Sequence, residues 1–417
     1  MPVTILLAII YAAFISLGLP DAVVGAAWPS MYGELGADSA AAALVSMVVV
    51  VSTIAASFSA GWLLRRFGTF AVSAGSVALT ALALFGYAFV PSFAWLLVLA
   101  IPLGLGGGAI DTALNAFVAV NYSSRHMNFL HASWGIGAAL GPLIVGFWLS
   151  VSGQWRPAYV TIGILQAALF VVFLGSRRLW KAHDAARAAI AEGSADGTDD
   201  DASDPEALGS ADGVEAGGSA SLPSGAELAD RPWFRMPNLA TILVGFFAYS
   251  AVEMTLGLWG ATYFVTRFGL SEDLAAAGGA AFYIGITAGR VAAGVAASRM
   301  SNHGLLRAGA AVLTLGAVAL FVPVPVVSLA GFALAGFGCG PIYPMMLQET
   351  ARRFGTVNTE RMMGIQMGLA YSGMLVAPPL TGLLLTRVSP VALPAVALVL
   401  AAAVTVSIYG VEKRLRR

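Results

Sequence analysis

The chain has 417 residues, with 22 Lys and Arg balancing 22 Asp and Glu, so its formal net charge is zero. It is 58% hydrophobic and only 11% charged, with a mean hydropathy of +0.82, whereas soluble chains carry about 25% charged residues. This composition excludes a string of soluble domains and points to a polytopic membrane protein. It gives nucleic acid no basic surface to bind, and the lone Cys339 rules out an intramolecular disulfide framework or a cysteine metal cluster.

A bilayer-crossing helix needs about 20 mostly apolar residues. The first candidate begins MPVTILLAIIYAAF, which has no basic leader and no small-residue cleavage site, and so reads as a retained span. Six segments fall near 3–32, 39–64, 69–90, 93–120, 128–152 and 156–175. Six more fall near 238–266, 274–298, 305–322, 326–348, 361–386 and 390–410. The expected fold is therefore all-α, with twelve transmembrane helices in two six-helix bundles, residues 1–180 and 238–417. Between them, residues 181–237 are rich in Ala, Gly, Ser, Asp and Glu and hold twelve of the 22 acidic residues. Such a stretch cannot bury enough apolar surface to offset its ordering entropy, so a solvated, disordered tether is expected.

Lys and Arg set the orientation. With a cytoplasmic N-terminus, eighteen of them fall in inside loops and tails, including Arg65, Arg66, Arg177, Arg178, Arg299, Arg307 and Arg353, and only Arg156, Arg267 and Arg387 fall outside. Both termini and the tether are therefore expected on the cytoplasmic side of the cytoplasmic membrane.

Shifting the second half onto the first by about 232 residues aligns Gly104, Gly106 and Gly108 with Gly336, Gly338 and Gly340. The same shift places Asp21 on Glu253, Gly25 on Gly257 and GWLLRR (61–66) near GVAASR (294–299). Parallel repeats of this kind create a substrate site near mid-membrane between the halves.

The segment GWLLRRFG resembles the loop signature of the major facilitator superfamily, Gly-x-x-x-[Asp]-Arg-x-Gly-Arg. Gly61, Arg65, Arg66 and Gly68 match, and an apolar residue replaces the acid. Within that superfamily, DTALNAF (111–117), LHASWGIGAALGPLIVG (130–146), YPMML (343–347) and SGMLVAPPLTG (372–382) resemble the fucose permease group of sugar–proton symporters. The resemblance implies a fourth-span motif in which Asp111 supplies the acid and Asn115 and Phe117 match, and it implies an acid in the first span, where Asp21 fits. It also implies the major facilitator fold, alternating access, and a small neutral sugar moved together with a proton.

Three acids lie deep in the spans: Asp21, Asp111 and Glu253. A charged side chain at a helix centre costs about 2.5–3.5 kcal/mol on insertion scales, so such residues face a cavity or a partner and mark proton or substrate paths. These three are the candidate proton-coupling residues, with Asp21 a candidate sugar acceptor as well. Asp111 and Asn115 are four residues apart and share a helix face. Arg290 is a candidate counter-ion. Asp21 also has a purely structural alternative, since Pro20 frees backbone groups beside it. Tyr343, Trp259, Trp28 and Gln348 complete the candidate substrate contacts, with Trp134 and Tyr249 at similar depth; interfacial anchoring or core packing is the competing reading for every aromatic. The Gly-rich GLGGGAI lacks the strand–helix context of a dinucleotide loop and is read as close helix packing.

The function expected is secondary active sugar transport with a proton as coupling cation, sodium being the alternative, by a protein acting as a monomer. No cofactor, metal site or catalytic residue is expected. A proton-coupled exporter of drugs or metabolites is the alternative, because GIGAALGPLIVG overlaps an antiporter pattern, and a transport-inactive sensor is a third reading.

Overall fold

The computed structural model describes residues 2–122, 124–195, 236 and 238–415. Among them the α-helices are α1 (Pro2–Asp21), α2 (Val23–Met31), α3 (Ala42–Ala88), α4 (Phe93–Asn121), α5 (Ser124–Ser152), α6 (Arg156–Ala195), α7 (Leu239–Phe268), α8 (Glu272–Ala296), α9 (Asn302–Ala319), α10 (Pro325–Arg387) and α11 (Ala392–Leu415).

Ten stretches among the described residues are long and apolar enough to cross a bilayer. One of them, Ser39–Ala88, spans 50 residues, more than twice the ~20 that one crossing needs. It reverses at Gly68, whose φ of 77° and ψ of 163° lie where an L side chain is strained. Both limbs of α3 then pack on α4, Ser52 near Gly104 and Thr80 near Gly106. α10 likewise has two limbs, Pro325–Thr350 and Met362–Arg387. Thr350 Oγ1 donates to Gln366 Oε1 (2.8 Å) and the Tyr343 hydroxyl lies 2.8 Å from Met367 Sδ, contacts that require a reversal between the limbs. α9 crosses as well, although Asn302, His303 and Arg307 in its early turns lower its apolarity. Counted by limbs, the described residues cross twelve times, and the chain is an all-α polytopic membrane protein.

The first span is broken. Proline has no N–H, so Pro20 leaves the Ser16 carbonyl without its helical donor; Gln166 Nε2 of α6 supplies one at 2.8 Å. The helix stops at Asp21, and Ala22 (φ −101°, ψ −6°) joins it to α2.

Arg65, Arg66, Arg177, Arg178, Arg299, Arg307 and Arg353 lie at one end of the bundle, called here the basic end. Glu34, Asp38, Arg156, Glu272 and Arg387 lie at the far end. α6 continues as helix to Ala195, beyond the boundary at 180 that composition suggested, because KAHDAARAAIAE is rich in good helix formers. The remainder of the expected tether, residues 196–235 and 237, lies outside the described residues.

The halves meet where α5 packs on α8, where α2 meets α7 and α8, and where α10 meets the start of α3. α5 packs on α8 for much of its length, with Gly135 on Thr287 towards the basic end and Gly146 on Asp273 at the far end. At the far end α2 meets α7, where Gly25 lies against the backbone of Gly257 and Leu258. Two polar bridges close the same end: Ser30 donates to Glu272, and Arg387 pairs with Asp38. Within the first half, Arg156 binds Glu34 at 2.7 Å.

Candidate functional site

The close crossing of α1 and α5 builds the first part of the site. Gly18 lies against the backbone of Trp134 and Ala138, and Gly137 lies against Ile15, so the two helices approach to backbone contact. This delivers the Trp134 indole to the break in the first span, where its Nε1–H donates to Asp21 Oδ2 at 2.7 Å. Because Gln166 already satisfies the Ser16 carbonyl, Asp21 is not needed to repair the backbone break. Asp21 remains exposed although the far end is sealed above it, so water reaches it from the basic end.

α4 contributes the second carboxylate. Asn115 Nδ2 donates to Asp111 Oδ1 at 2.9 Å, the one-turn pairing expected from the spacing. Beside them, Thr112 donates to Ser57 Oγ of α3 at 3.3 Å. Gly104 and Gly108 let α4 approach the first limb of α3, which holds this face in place.

The third carboxylate comes from the second half. Glu253 of α7 lies 3.8 Å from Arg290 Nη2 of α8, with side chains 14% and 12% exposed. Arg290 Nη1 donates to the His131 carbonyl of α5 at 3.2 Å, and its guanidinium lies 5.1 Å from the Trp134 ring centroid. The site thus brings Asp21 within Coulombic reach of Asp111 and of Glu253 from the other half, and Glu253 is the carboxylate that pairs with Arg290. Such a set has capacity for protons or a monovalent cation and presents several acceptors to a hydroxylated ligand.

Tyr343 is half-buried at the edge of this cluster. Its ring stacks on Tyr249 (5.6 Å, 24°), and it feels the charges of Glu253 and Asp111. Tyr371 on the second limb of α10 lies within the same reach of Asp111; the sequence reading missed it, since a tyrosine in an apolar span carries no marker of the face it presents. Trp134 was legible only by depth, without its bond to Asp21.

Three expected substrate contacts are placed elsewhere. Trp28 is 1% exposed and donates its indole N–H to the Ser39 carbonyl at 2.7 Å, bracing the far end. Trp259 is 0% exposed and donates to the Pro378 carbonyl at 2.8 Å, joining α7 to α10. Both indoles are enclosed in this conformation and bonded to backbone carbonyls. Gln348 is exposed more than a turn beyond Tyr343 towards the basic end, outside the cluster.

In the loop motif, Gly68 forms the reversal of α3. Gly61, Arg65 and Arg66 are exposed. Arg66 lies 5.6 Å from the Trp62 ring and 5.7 Å from that of Phe67, an aromatic seat in place of the missing acid. A separate hollow of about 430 Å³ at the basic end of the second half is lined by Phe246, Met346, Glu349 and Arg353 among others. There Asn302 and Arg353 bind Glu349, remote from the carboxylate cluster.

The family model described as Major Facilitator Superfamily matches residues 8–347 and 268–416. The glucose/mannose transporter GlcP of Bacillus subtilis (strain 168) is 21% identical over 167 residues, a match spanning 40% of this chain and 41% of that transporter. Two solved structures share the fold across nearly the whole chain. A bacterial homologue of the human lysosomal transporter Spinster, in an inward-facing and occupied conformation, has a TM-score of 0.68 at 12% identity, covering 99% of this chain and 97% of that one. A D-xylose–proton symporter has a TM-score of 0.69 at 13% identity, covering 96% and 97%. With the family model matched across both halves, the chain belongs to the major facilitator superfamily and is a multi-pass integral membrane protein.

Proposed function

We propose that the protein is a sugar–proton symporter of the fucose permease-like group, importing a small neutral sugar by alternating access across the cytoplasmic membrane. The observation that carries the reading is the cluster itself, in which Asp21 lies within Coulombic reach of Asp111 and Glu253 and Glu253 pairs with Arg290 between the halves. The glucose/mannose transporter and the D-xylose–proton symporter among its relatives favour a sugar as cargo.

The charge count supplies the coupling. Three carboxylates against one guanidinium leave two negative charges that a closed cavity has to carry without water, which is costly when a charge lacks a partner. A proton on Asp111 removes one of them. Sugar hydroxyls donating to Asp21, with Asn115 and Tyr343 alongside, satisfy the other. Closure is therefore favoured for the carrier holding both cargoes over the carrier holding one, which couples the inward movement of the two.

The basic end is assigned to the cytoplasm, since Lys and Arg concentrate there. The conformation described, sealed at the far end, is then the cytoplasm-facing one, and both termini and the tether lie inside. The carrier works as a monomer, with Gln348 meeting the sugar on its way out. Uptake by purified protein in liposomes tests the reading. With an inward proton gradient, a sugar should accumulate, and Asp111→Asn should abolish accumulation. Uphill uptake by Asp111→Asn with undiminished dependence on the gradient would refute the coupling role.

A further inference from the structure

Trp134 holds a position that a packing role does not account for. Its indole N–H is committed to Asp21 of the first half, while its ring face carries Arg290 of the second half, the residue that pairs with Glu253. Arg290 is fixed on the α5 side by the His131 carbonyl, and Gly340 and Gly289 bring α10 against its backbone. The ring of Tyr283 meets Trp134 at 6.5 Å. The indole touches both Asp21 and Arg290 and so physically links them.

We infer that Trp134 is a positioning residue that relays the state of Asp21 to the Arg290–Glu253 pair across the interface between the halves. An indole suits this task because it offers one directed donor at its edge and a cation-attracting face. While Asp21 is ionised, the N–H···O bond holds the ring in the plane that seats the guanidinium. When Asp21 is neutralised by a proton or engaged by a hydroxylated ligand, the bond weakens and the ring is free to turn. Arg290 then loses a face contact and shifts its balance between Glu253 and the His131 carbonyl. Other ionisable groups bordering the relay include Asp111 of α4, His131 of α5, Tyr249 of α7, Tyr283 of α8, and Cys339 and Tyr343 of α10. α5 and α8 remain in contact towards both ends of the bundle, so a signal crossing at this seam reaches both halves wherever the cavity opens.

The inference rests on the transport reading for its purpose, but its test does not. In purified protein, the shifts in unfolding temperature caused by Asp21→Asn and Arg290→Gln should be non-additive, since residues joined in one network couple. In a Trp134→Phe background, which keeps a ring but has no N–H, more than half of that non-additivity should vanish. Additive shifts in the wild-type background, or non-additivity undiminished by Trp134→Phe, would overturn the relay. In liposomes, the ratio of uphill accumulation to sugar exchange should fall about tenfold in Trp134→Phe, the factor a charge-assisted hydrogen bond is worth. Accumulation and exchange falling in equal proportion would mark Trp134 as structural and overturn the relay. Absence of sugar uptake by the wild type would refute the proposed function, while the thermal cycle would still decide the relay.

Discussion

Gly25→Ala is expected to unlatch the far end without unfolding the protein. A Cβ built on Gly25 would stand 2.5 Å from the Leu258 carbonyl oxygen and 2.9 Å from Leu258 Cα, against an ordinary contact limit of 3.4 Å. Both obstacles are helical backbone, so no side-chain rotation relieves the clash. The two helices have to separate by about 0.9 Å at that level, and overpacking of this kind costs about 1–3 kcal/mol. The penalty exists only while α2 and α7 touch, so it weighs against the sealed state alone. At 1.4 kcal/mol per factor of ten, the sealed population falls relative to the open one by about 5-fold to 140-fold. Spin labels on Gly33→Cys and Ser271→Cys, both exposed at this end, would read the separation in liposomes. The native Cys339 is buried. Gly25→Ala should move the distance distribution to longer values with little change in unfolding temperature. An unchanged distribution accompanied by a lowered unfolding temperature would refute the reasoning.

Further outcomes follow from other contacts. Arg290→Gln leaves Glu253 buried without its counter-ion and should destabilise the protein by about 3–5 kcal/mol, whereas adding Glu253→Gln should restore most of the loss in thermal unfolding. Gly68→Ala forces a side chain into positive φ and should cost about 1–2 kcal/mol, while Gly61→Ala, whose Cβ would meet Arg65 Nη1 at an ordinary 3.6 Å, should be neutral or mildly stabilising. At the far end, burial works against ionisation of Glu34, but hydrogen bonds from Arg156 and Trp155 outweigh it and hold its carboxyl below the ordinary value of 4.5. The Ala40 N–H, with help from Arg387, does the same for Asp38 below 3.8. Folded values below unfolded ones mean stability that is complete above the ordinary values and lost as pH falls through the folded ones. Thermal unfolding should therefore show no contribution from these two groups between pH 7 and pH 5, and a loss that sets in only as the medium passes below about 4.5. In Glu34→Gln that acid-induced loss should shrink.

The parts of this architecture that were legible in the sequence are those written in local spacing. Asp111 and Asn115 are one turn apart, so a shared face and a direct bond follow from helix geometry alone. The match of Asp21 to Glu253 across the repeat placed two acids from opposite halves at one depth, and they are within reach of each other. Arg290, the cation in the eighth span, is the counter-ion. Depth was legible for the aromatic residues, but azimuth was not. Trp28 and Trp259 lie at suitable depth but on faces that pack into the core, which helix rotation decides and periodicity in an all-apolar span does not encode. The bond between Trp134 and Asp21 joins residues 113 apart in sequence. It depends on the glycine-mediated approach of α1 to α5, visible only once the helices are packed. The length of α6 was misjudged because an acidic, glycine-bearing composition masked an alanine-rich helical start.

The most direct test of the account is proton movement driven by sugar alone. Liposomes containing the purified protein and an internal pH dye start with equal pH on both sides and receive a panel of neutral sugars outside. The account predicts that a transported sugar acidifies the lumen, and that Asp111→Asn abolishes the signal. Uptake of radiolabelled sugar with no pH change, or an acidification that Asp111→Asn leaves intact, would contradict it.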